Sequence, residues 1–247
     1  MSETVTNPKD NAPRERVHML DLLRGVMILL MVGHHLLYDL AYIFGLPARL
    51  VENPFIRVAS PLGAGIFIAM SGATAWISRS NWKKGLRILA AAAAVTLVTF
   101  FYDREAVIVF GILQFLAVST LLYAAVEPLW KRVPRAIMPA VCGALFALSL
   151  LLRRIAPAGA WYLVPLGFPP AGFVTLDYFP LLPWFAVYLL GTWLGGPIFS
   201  GRMPGWFYRA RNPFFEKCGR WSLWIYLLHQ PALLLVLWCL FTALGRA

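Results

Sequence analysis

The sequence predicts an all-α protein, a polytopic bundle of about seven transmembrane helices. Of its 247 residues 60% are hydrophobic and only 13% are charged, whereas about 25% of the residues in soluble domains are charged. Apolar stretches close to the roughly 20 residues needed to cross a bilayer recur along the chain. So few charges cannot cover a soluble surface, and a soluble globular protein is therefore excluded.

The chain divides into a polar tail and a single transmembrane domain. Residues 1–15 are expected to form a disordered cytoplasmic tail, and residues 16–247 the domain. Its candidate spans cover residues 19–44, 58–78, 86–102, 106–126, 136–153, 178–199 and 221–244. Residues 155–177 contain four prolines, which a continuous helix cannot accommodate. We expect this segment to lie at the outer interface or to dip back into the bundle as a re-entrant loop.

Lys and Arg are distributed unevenly between the two sides of this arrangement. With the N-terminus placed in the cytoplasm, fifteen Lys and Arg fall in cytoplasmic segments and six in outer segments. Cytoplasmic loops of membrane proteins are enriched in these residues. The distribution therefore predicts a cytoplasmic N-terminus and an external C-terminus.

Charge and cysteine content exclude two further classes of function. The net charge of +11 is explained by topology, because no basic run is longer than two residues and none alternates with aromatic residues as in nucleic-acid binding. Three cysteines without a CxxC spacing indicate neither a metal site nor a disulfide framework. We expect no nucleic acid and no metal.

The first span carries ionisable side chains, which are costly in hydrocarbon and normally face a bundle interior or an aqueous cavity. At the helical repeat, five polar residues share a sector of about 100°, and His34 lies just outside it. The five are Asp21, Arg24, His35, Tyr38 and Asp39. One polar stripe along this helix is therefore predicted to line the interior.

The stripe has two parts, each with two interpretations. Asp21 and Arg24, at i and i+3, can form an ion pair that contributes to a site or that only anchors the helix at the interface. His35 and Asp39, at i and i+4, can share a hydrogen bond that makes the imidazole a better base. The alternative is a structural histidine whose hydrogen bonds are satisfied.

Polar residues in later spans extend the candidate site. His229 in the last span can act as a hydrogen-bond donor in catalysis, or His229 and Gln230 can simply bond neighbouring helices. Asp177 faces the same outer side as Asp39, near aromatic residues that include Trp184 and that can also form an ordinary interfacial belt.

Five segments together resemble a known family. They are LDLLRGVMILLMVGHHLLYDL, SPLGAGIFIAMSG, VFGILQFLAVSTLL, YFPLLPWFAVYLLG and GRWSLWIYLLHQP, which cover most of residues 16–235 in order. They resemble the bacterial branch of the heparan-α-glucosaminide N-acetyltransferase catalytic-domain family. Asp21, Arg24 and Gly25 match the family's first catalytic helix, as do Met31 and Val32. The chain departs from the lysosomal form at His35, where that form has a catalytic Asn.

The resemblance implies a membrane acyltransferase of the bacterial inner membrane. Such an enzyme takes an acetyl group from cytosolic acetyl-CoA and passes it to a sugar amine or hydroxyl on the other side. Because the lysosomal enzymes have more spans, the helices that enclose the CoA are expected either to be reduced here or to be supplied by a second subunit, as in a homodimer.

The corresponding hypothesis assigns three groups of residues. His35, oriented by Asp39, is the base or acyl carrier, with His34 beside it and His229 or Gln114 as oxyanion donor. The residues expected to contact acetyl-CoA are Arg24, Asp21, Gln114, Lys83, Lys84 and Arg87. Those expected to contact the acceptor are Tyr38, Asp177 and Trp184.

Two other functions stay open at this stage. His35, Asp39 and His229 can serve as a proton relay in a proton-coupled transporter. A non-catalytic membrane subunit would depend neither on the polar stripe nor on CoA. Binding of acetyl-CoA distinguishes the acyltransferase from both.

Overall fold

The computed structural model describes residues 16–102, 107–156, 159–175 and 177–245. Within them the chain is helical and forms seven helices long and apolar enough to cross a membrane. These are α1 (His18–Tyr42), α2 (Pro54–Trp76), α3 (Asn81–Tyr102), α4 (Ile112–Trp130), α5 (Met138–Ile155), α6 (Leu181–Phe199) and α9 (Ser222–Ala243), with the short α7 (Gly205–Arg209) and α8 (Pro213–Arg220) between the last two. The all-α fold and the seven spans are confirmed, whereas the expected tail at 1–15 lies outside the described residues.

Local capping shifts two helix starts from their predicted positions. Helix α2 begins four residues early, because Pro54 suits the first helical position and the Asn53 side chain accepts a hydrogen bond from the Ile56 amide at 2.9 Å. Helix α4 begins at Ile112, six residues later than predicted. There the Gln114 side chain accepts a hydrogen bond from the Gly111 amide at 3.1 Å.

Four helix pairs build the bundle: α2 packs against α6, α3 against α4, α5 against α6, and α1 against α8. The largest fully buried side chains include Phe115, Tyr123 and Tyr188 on α4 and α6, which therefore form the centre. Helix α9 lies at the periphery beside α1. The two run in the same direction, because Asp39 contacts Gln230 and Phe44 contacts Trp238.

The α2–α6 contact depends on small residues that bring two backbones together. A Cβ atom added at Gly72 would overlap the carbonyl oxygen of Tyr188, and one added at Gly191 would overlap that of Ala69. Such close approach is a common basis of helix association in membranes. Gly72 and Gly191 are therefore close-packing positions of this helix pair.

Gly72→Ala is expected to destabilise the protein by about 1–3 kcal/mol, because the new methyl group meets backbone that no rotamer change can move aside. Gly33→Ala is the matched control, since a Cβ at that position has no neighbouring heavy atom within 4 Å. Thermal unfolding of the detergent-solubilised variants measures the difference. Equal melting temperatures for the two variants would contradict the close-packing role.

The proline-rich segment folds against the far end of the bundle, opposite the N-terminus of α1. It contains a short 3-10 helix at Trp161–Leu166. Val164 is buried there, and its carbonyl oxygen accepts a hydrogen bond from the Tyr178 hydroxyl at 2.8 Å. Trp161 and Tyr162 are exposed. Residues 157, 158 and 176 of the predicted loop lie outside the described residues, and its position in the bilayer stays a prediction.

Candidate functional site

A cavity of about 380 Å³ opens at the end of the bundle that carries the start of α1. Its polar wall contains Asp21, whose Oδ2 lies 2.6 Å from Nε of Arg16 and whose Oδ1 lies 3.5 Å from a terminal nitrogen of Arg24. The predicted Asp21–Arg24 ion pair is therefore confirmed, with Arg16 as a second and closer partner. We call this the cationic cavity, because two guanidinium groups share one carboxylate.

Lys84 of α3 adds a third cation behind the wall of the cationic cavity. Its Nζ donates hydrogen bonds to Oγ1 of Thr74 at 3.0 Å and to the Ser71 carbonyl at 3.4 Å, and Thr74 lines the cavity. Lys84 is close enough to Arg24 for the two charges to repel. By contrast, Lys83 and Arg87 are exposed and do not line this cavity, so the three predicted basic contacts of α3 do not come together.

Helix α8 holds the start of α1 in place. A Cβ on Gly25 would overlap the Phe215 carbonyl oxygen, and one on Gly219 would overlap that of Asp21. Nδ1 of His18 donates a hydrogen bond to Glu216 at 2.6 Å, and this bond lowers the pKa of the Glu216 carboxyl. The glycine after Arg24 is thus required by contact between two backbones.

The second part of the polar stripe meets α9 at a pair of histidines. The ring centroids of His35 and His229 lie 4.8 Å apart, and the His34 ring lies 5.9 Å from that of His35. Nδ1 of His229 donates a hydrogen bond to the Tyr226 carbonyl oxygen at 2.6 Å. Its Nε2 is buried without a hydrogen-bond partner among the described residues. The neutral His229 therefore carries its lone pair on Nε2, the nitrogen suited to accept a proton.

The predicted hydrogen bond between His35 and Asp39 is wrong. Asp39 is 1% exposed, and its Oδ1 and Oδ2 accept hydrogen bonds from Nε2 of Gln230 at 2.8 and 3.0 Å. Both side chains of α1 turn towards α9, where an amide and an imidazole offer partners beyond the helix itself. For Gln230, the alternative of a hydrogen bond to a neighbouring helix is confirmed.

Asp177 joins α9 to the start of α4. Its Oδ2 accepts hydrogen bonds from the Ile112 amide at 2.9 Å and from the Tyr226 hydroxyl at 3.2 Å. Burial raises the pKa of the Asp177 carboxyl, and the two hydrogen bonds oppose this shift. Tyr226 thereby links Asp177 to His229. Tyr226 was not predicted as a site residue, although a tyrosine one helical turn before His229 was a signal that could have identified it.

Gln114 lies away from both the cationic cavity and the histidine pair. Its Nε2 donates hydrogen bonds to the Ala92 carbonyl at 3.3 Å and to Oγ1 of Thr96 at 2.8 Å, while its Oε1 caps α4. The residue connects α3 to α4. This arrangement corresponds to interhelical packing and not to the predicted contact with cofactor or oxyanion.

The two predicted aromatic contacts of the acceptor have their recorded ring contacts with other aromatic residues in the described part of the chain. Tyr38 is partly exposed and stacks on Tyr42, with 4.7 Å between ring centroids. Trp184 packs against Phe179 at 5.4 Å and against the backbone at Gly65. Of the three predicted acceptor contacts, Asp177 alone connects to the histidine pair through hydrogen bonds of the described residues.

Two further features bear on what can reach the histidines. On α1 the lining of the cationic cavity ends at Arg24, roughly 16 Å from His35 along the helix axis. Between them α2 approaches α1 at Gly63, where an added Cβ would lie 3.7 Å from the Met27 sulfur. An apolar groove of about 760 Å³ also runs between α1 and α9, and the His229 ring forms part of its wall.

The arrangement supplies cations at one end of α1 and proton-accepting groups farther along it. Among the described residues no group of three His, Cys, Asp or Glu side chains is placed to hold a metal ion. The family model described as "Heparan-alpha-glucosaminide N-acetyltransferase, catalytic" matches residues 16–231. No curated protein and no solved structure matches the chain. The matched region contains both the cationic cavity and the histidine pair. The chain belongs to the heparan-alpha-glucosaminide N-acetyltransferase catalytic-domain family, a family of membrane acetyltransferases.

Proposed function

We propose that the protein transfers an acetyl group from acetyl-CoA to an amine or hydroxyl of a sugar-like acceptor across the bacterial inner membrane. The donor binds on the cytoplasmic side, where the N-terminus lies, and the acceptor binds from the outer side. The observation that carries this proposal is that α1 has two separate groups of polar side chains. Arg24 lies in a cationic cavity, and His35 lies against His229 within the bundle.

The cationic cavity suits the phosphates of CoA. Arg16, Arg24 and Lys84 supply three positive charges against the single carboxylate of Asp21. Guanidinium groups bind phosphate through two parallel hydrogen bonds, and lysine binds it as a point charge. Asp21 holds the two guanidinium groups in place, and a net positive charge remains for the donor.

The room between Arg24 and His35 suits a slim chain. Gly63 of α2 lies at the depth that separates Arg24 from His35, and because it has no side chain it faces the flexible Met27 side chain of α1, 3.7 Å from where a Cβ would lie. The pantetheine arm of CoA is unbranched over most of its length. It can therefore extend from the cationic cavity towards the histidines without forcing the helices apart.

The histidine pair supplies the base in this proposal. The tautomer of His229 is set by the Tyr226 carbonyl. Its Nε2 takes the proton of the acceptor while the amine nitrogen or hydroxyl oxygen of the acceptor attacks the thioester carbon. The new bond to the acetyl carbon forms, the carbon–sulfur bond breaks, and the departing thiolate receives the proton. Since His229 has the defined tautomer, it is the base, and His35 lies beside the transferred proton.

Proteoliposomes test the proposed function. With labelled acetyl-CoA outside and methyl α-D-glucosaminide inside, vesicles that hold the protein in the required orientation should accumulate labelled N-acetyl product in their lumen. Acetyl-CoA should also raise the melting temperature of the solubilised protein, because it binds the folded state. No product and no stabilisation would overturn the proposal. Proton-coupled uptake without a response to CoA would favour a transporter.

A further inference from the structure

We infer that Gln230 is a substrate-positioning residue whose Oε1 accepts a hydrogen bond from the acyl acceptor beside His229. The inference rests on the proposed acetyl transfer and extends it to a residue with no role in that chemistry so far. It follows from the orientation of one amide and from two buried acceptor atoms on adjacent residues.

The carboxylate of Asp39 determines which end of the Gln230 amide is free. An ionised carboxylate only accepts hydrogen bonds, so it must face the amide NH2. Both of its oxygens lie within hydrogen-bond distance of Gln230 Nε2, at 2.8 and 3.0 Å. The carbonyl oxygen of Gln230 is thereby turned away from Asp39 and offered as an acceptor.

Two acceptors without donors lie next to each other in the chain. Oε1 of Gln230 and Nε2 of His229 are both buried, and neither has a hydrogen-bond partner among the described residues. Leaving a buried acceptor unpaired costs about 1–3 kcal/mol, and native proteins retain few such atoms. Both residues meet α1, His229 at His35 and Gln230 at Asp39. The pair therefore fits a ligand that donates two hydrogens.

This requirement defines the chemical class of the acceptor. A primary amine, or two hydroxyls on neighbouring carbons of a sugar, presents two polar hydrogens close together. One is the proton that His229 removes, and the other is held by Gln230. A group with one polar hydrogen, or an ether, leaves one acceptor unpaired and binds less tightly.

A purely structural role for Gln230, tying α9 to α1 through Asp39, gives a different kinetic result. Gln230→Met preserves the length of the side chain and removes both amide functions. Because this change also leaves Asp39 buried without its partner, the double variant Asp39→Leu/Gln230→Met is made as well. Replacing both members of a buried polar pair is tolerated better than removing one.

The experiment measures KM for acetyl-CoA and for methyl α-D-glucosaminide separately. Gln230→Met should raise KM for the glucosaminide about tenfold, the effect of one lost hydrogen bond, with KM for acetyl-CoA changed less than twofold. The double variant should show the same increase. Asn81→Leu is the control, since it removes another interhelical amide that donates to the Ala75 carbonyl and to Glu127, and it should leave both constants unchanged.

The outcomes separate the two proposals. If the wild-type protein neither binds nor turns over acetyl-CoA, the proposed function fails. If acetyl-CoA binds but KM for the glucosaminide is unchanged in both Gln230 variants, or rises equally in Asn81→Leu, the role of Gln230 is overturned while the proposed function stands. If the wild-type protein turns over acetyl-CoA but the glucosaminide neither stabilises the protein nor accepts the acetyl group, the two-hydrogen class of acceptor is wrong.

Discussion

Replacing His229 with alanine is expected to lower acetyl transfer about 10²–10⁴-fold, the usual contribution of a positioned general base. The change removes Nε2, the imidazole atom that is buried beside His35 and has no hydrogen-bond partner within the described ranges of the chain. Binding of acetyl-CoA should persist, because the cationic cavity lies at the other end of the polar stripe. Single-turnover rates with labelled acetyl-CoA measure the first effect, and the melting-temperature rise caused by acetyl-CoA measures the second.

His34→Ala provides the comparison for this experiment. The His34 ring contacts His35 at 5.9 Å, whereas the structure records no ring contact between His34 and His229 in the described part of the chain. A loss below about tenfold is expected, smaller than the range for a base. Transfer by His229→Ala at the wild-type rate would remove His229 from the mechanism. Loss of acetyl-CoA binding in the same variant would indicate a damaged fold instead.

Lys84→Met is expected to raise KM for acetyl-CoA about 10–100-fold with kcat nearly unchanged. A hydrogen bond to a charged group contributes about 1.5–3 kcal/mol, and each 1.4 kcal/mol corresponds to a factor of ten. Phosphate binding precedes the chemical step and acts equally on ground and transition states, so the effect appears in KM. Initial rates over a range of acetyl-CoA concentrations give both constants.

Lys83→Met is the matched control for Lys84, one residue earlier on the same helix. Lys83 is exposed and donates no side-chain hydrogen bond to the cavity wall, whereas Lys84 contacts Thr74 at 3.0 Å. The control should change KM for acetyl-CoA less than twofold. Because Lys84 also ties α3 to α2, the melting temperature of each variant without ligand is measured. Equal KM values for the two variants would place the donor elsewhere.

The spans could be predicted from sequence because bilayer thickness imposes one length and one polarity on each of them. The observed helix starts differ from the predicted ones where local capping fixes the first residue, as at Asn53 before α2 and at Gly111 before α4. The polar stripe on α1 was predictable too, since ionisable groups in a span avoid hydrocarbon. Its ion pair, Asp21 with Arg24, is as expected.

The partners of His35 and Asp39 could not be predicted, because helical periodicity does not say which helix packs beside α1. His35 and Asp39 share a face, and this suggested that they bond to each other. Helix α9 instead places Gln230 beside Asp39 and His229 beside His35. For the same reason Lys84 contacts Thr74 in the wall of the cationic cavity while Lys83 does not. The sequence of α3 did not show which side of the helix is turned towards α2.

The backbone contact between α1 and α8 concentrates the sequence constraint at one end of the protein on two glycines. Gly25 and Gly219 place main-chain atoms against main-chain atoms beside the cationic cavity, and side-chain substitutions elsewhere leave such a contact unaltered. A larger residue at Gly25 or Gly219 would have to separate the two helices, and with them the wall of the cationic cavity that contains Asp21 and Arg24.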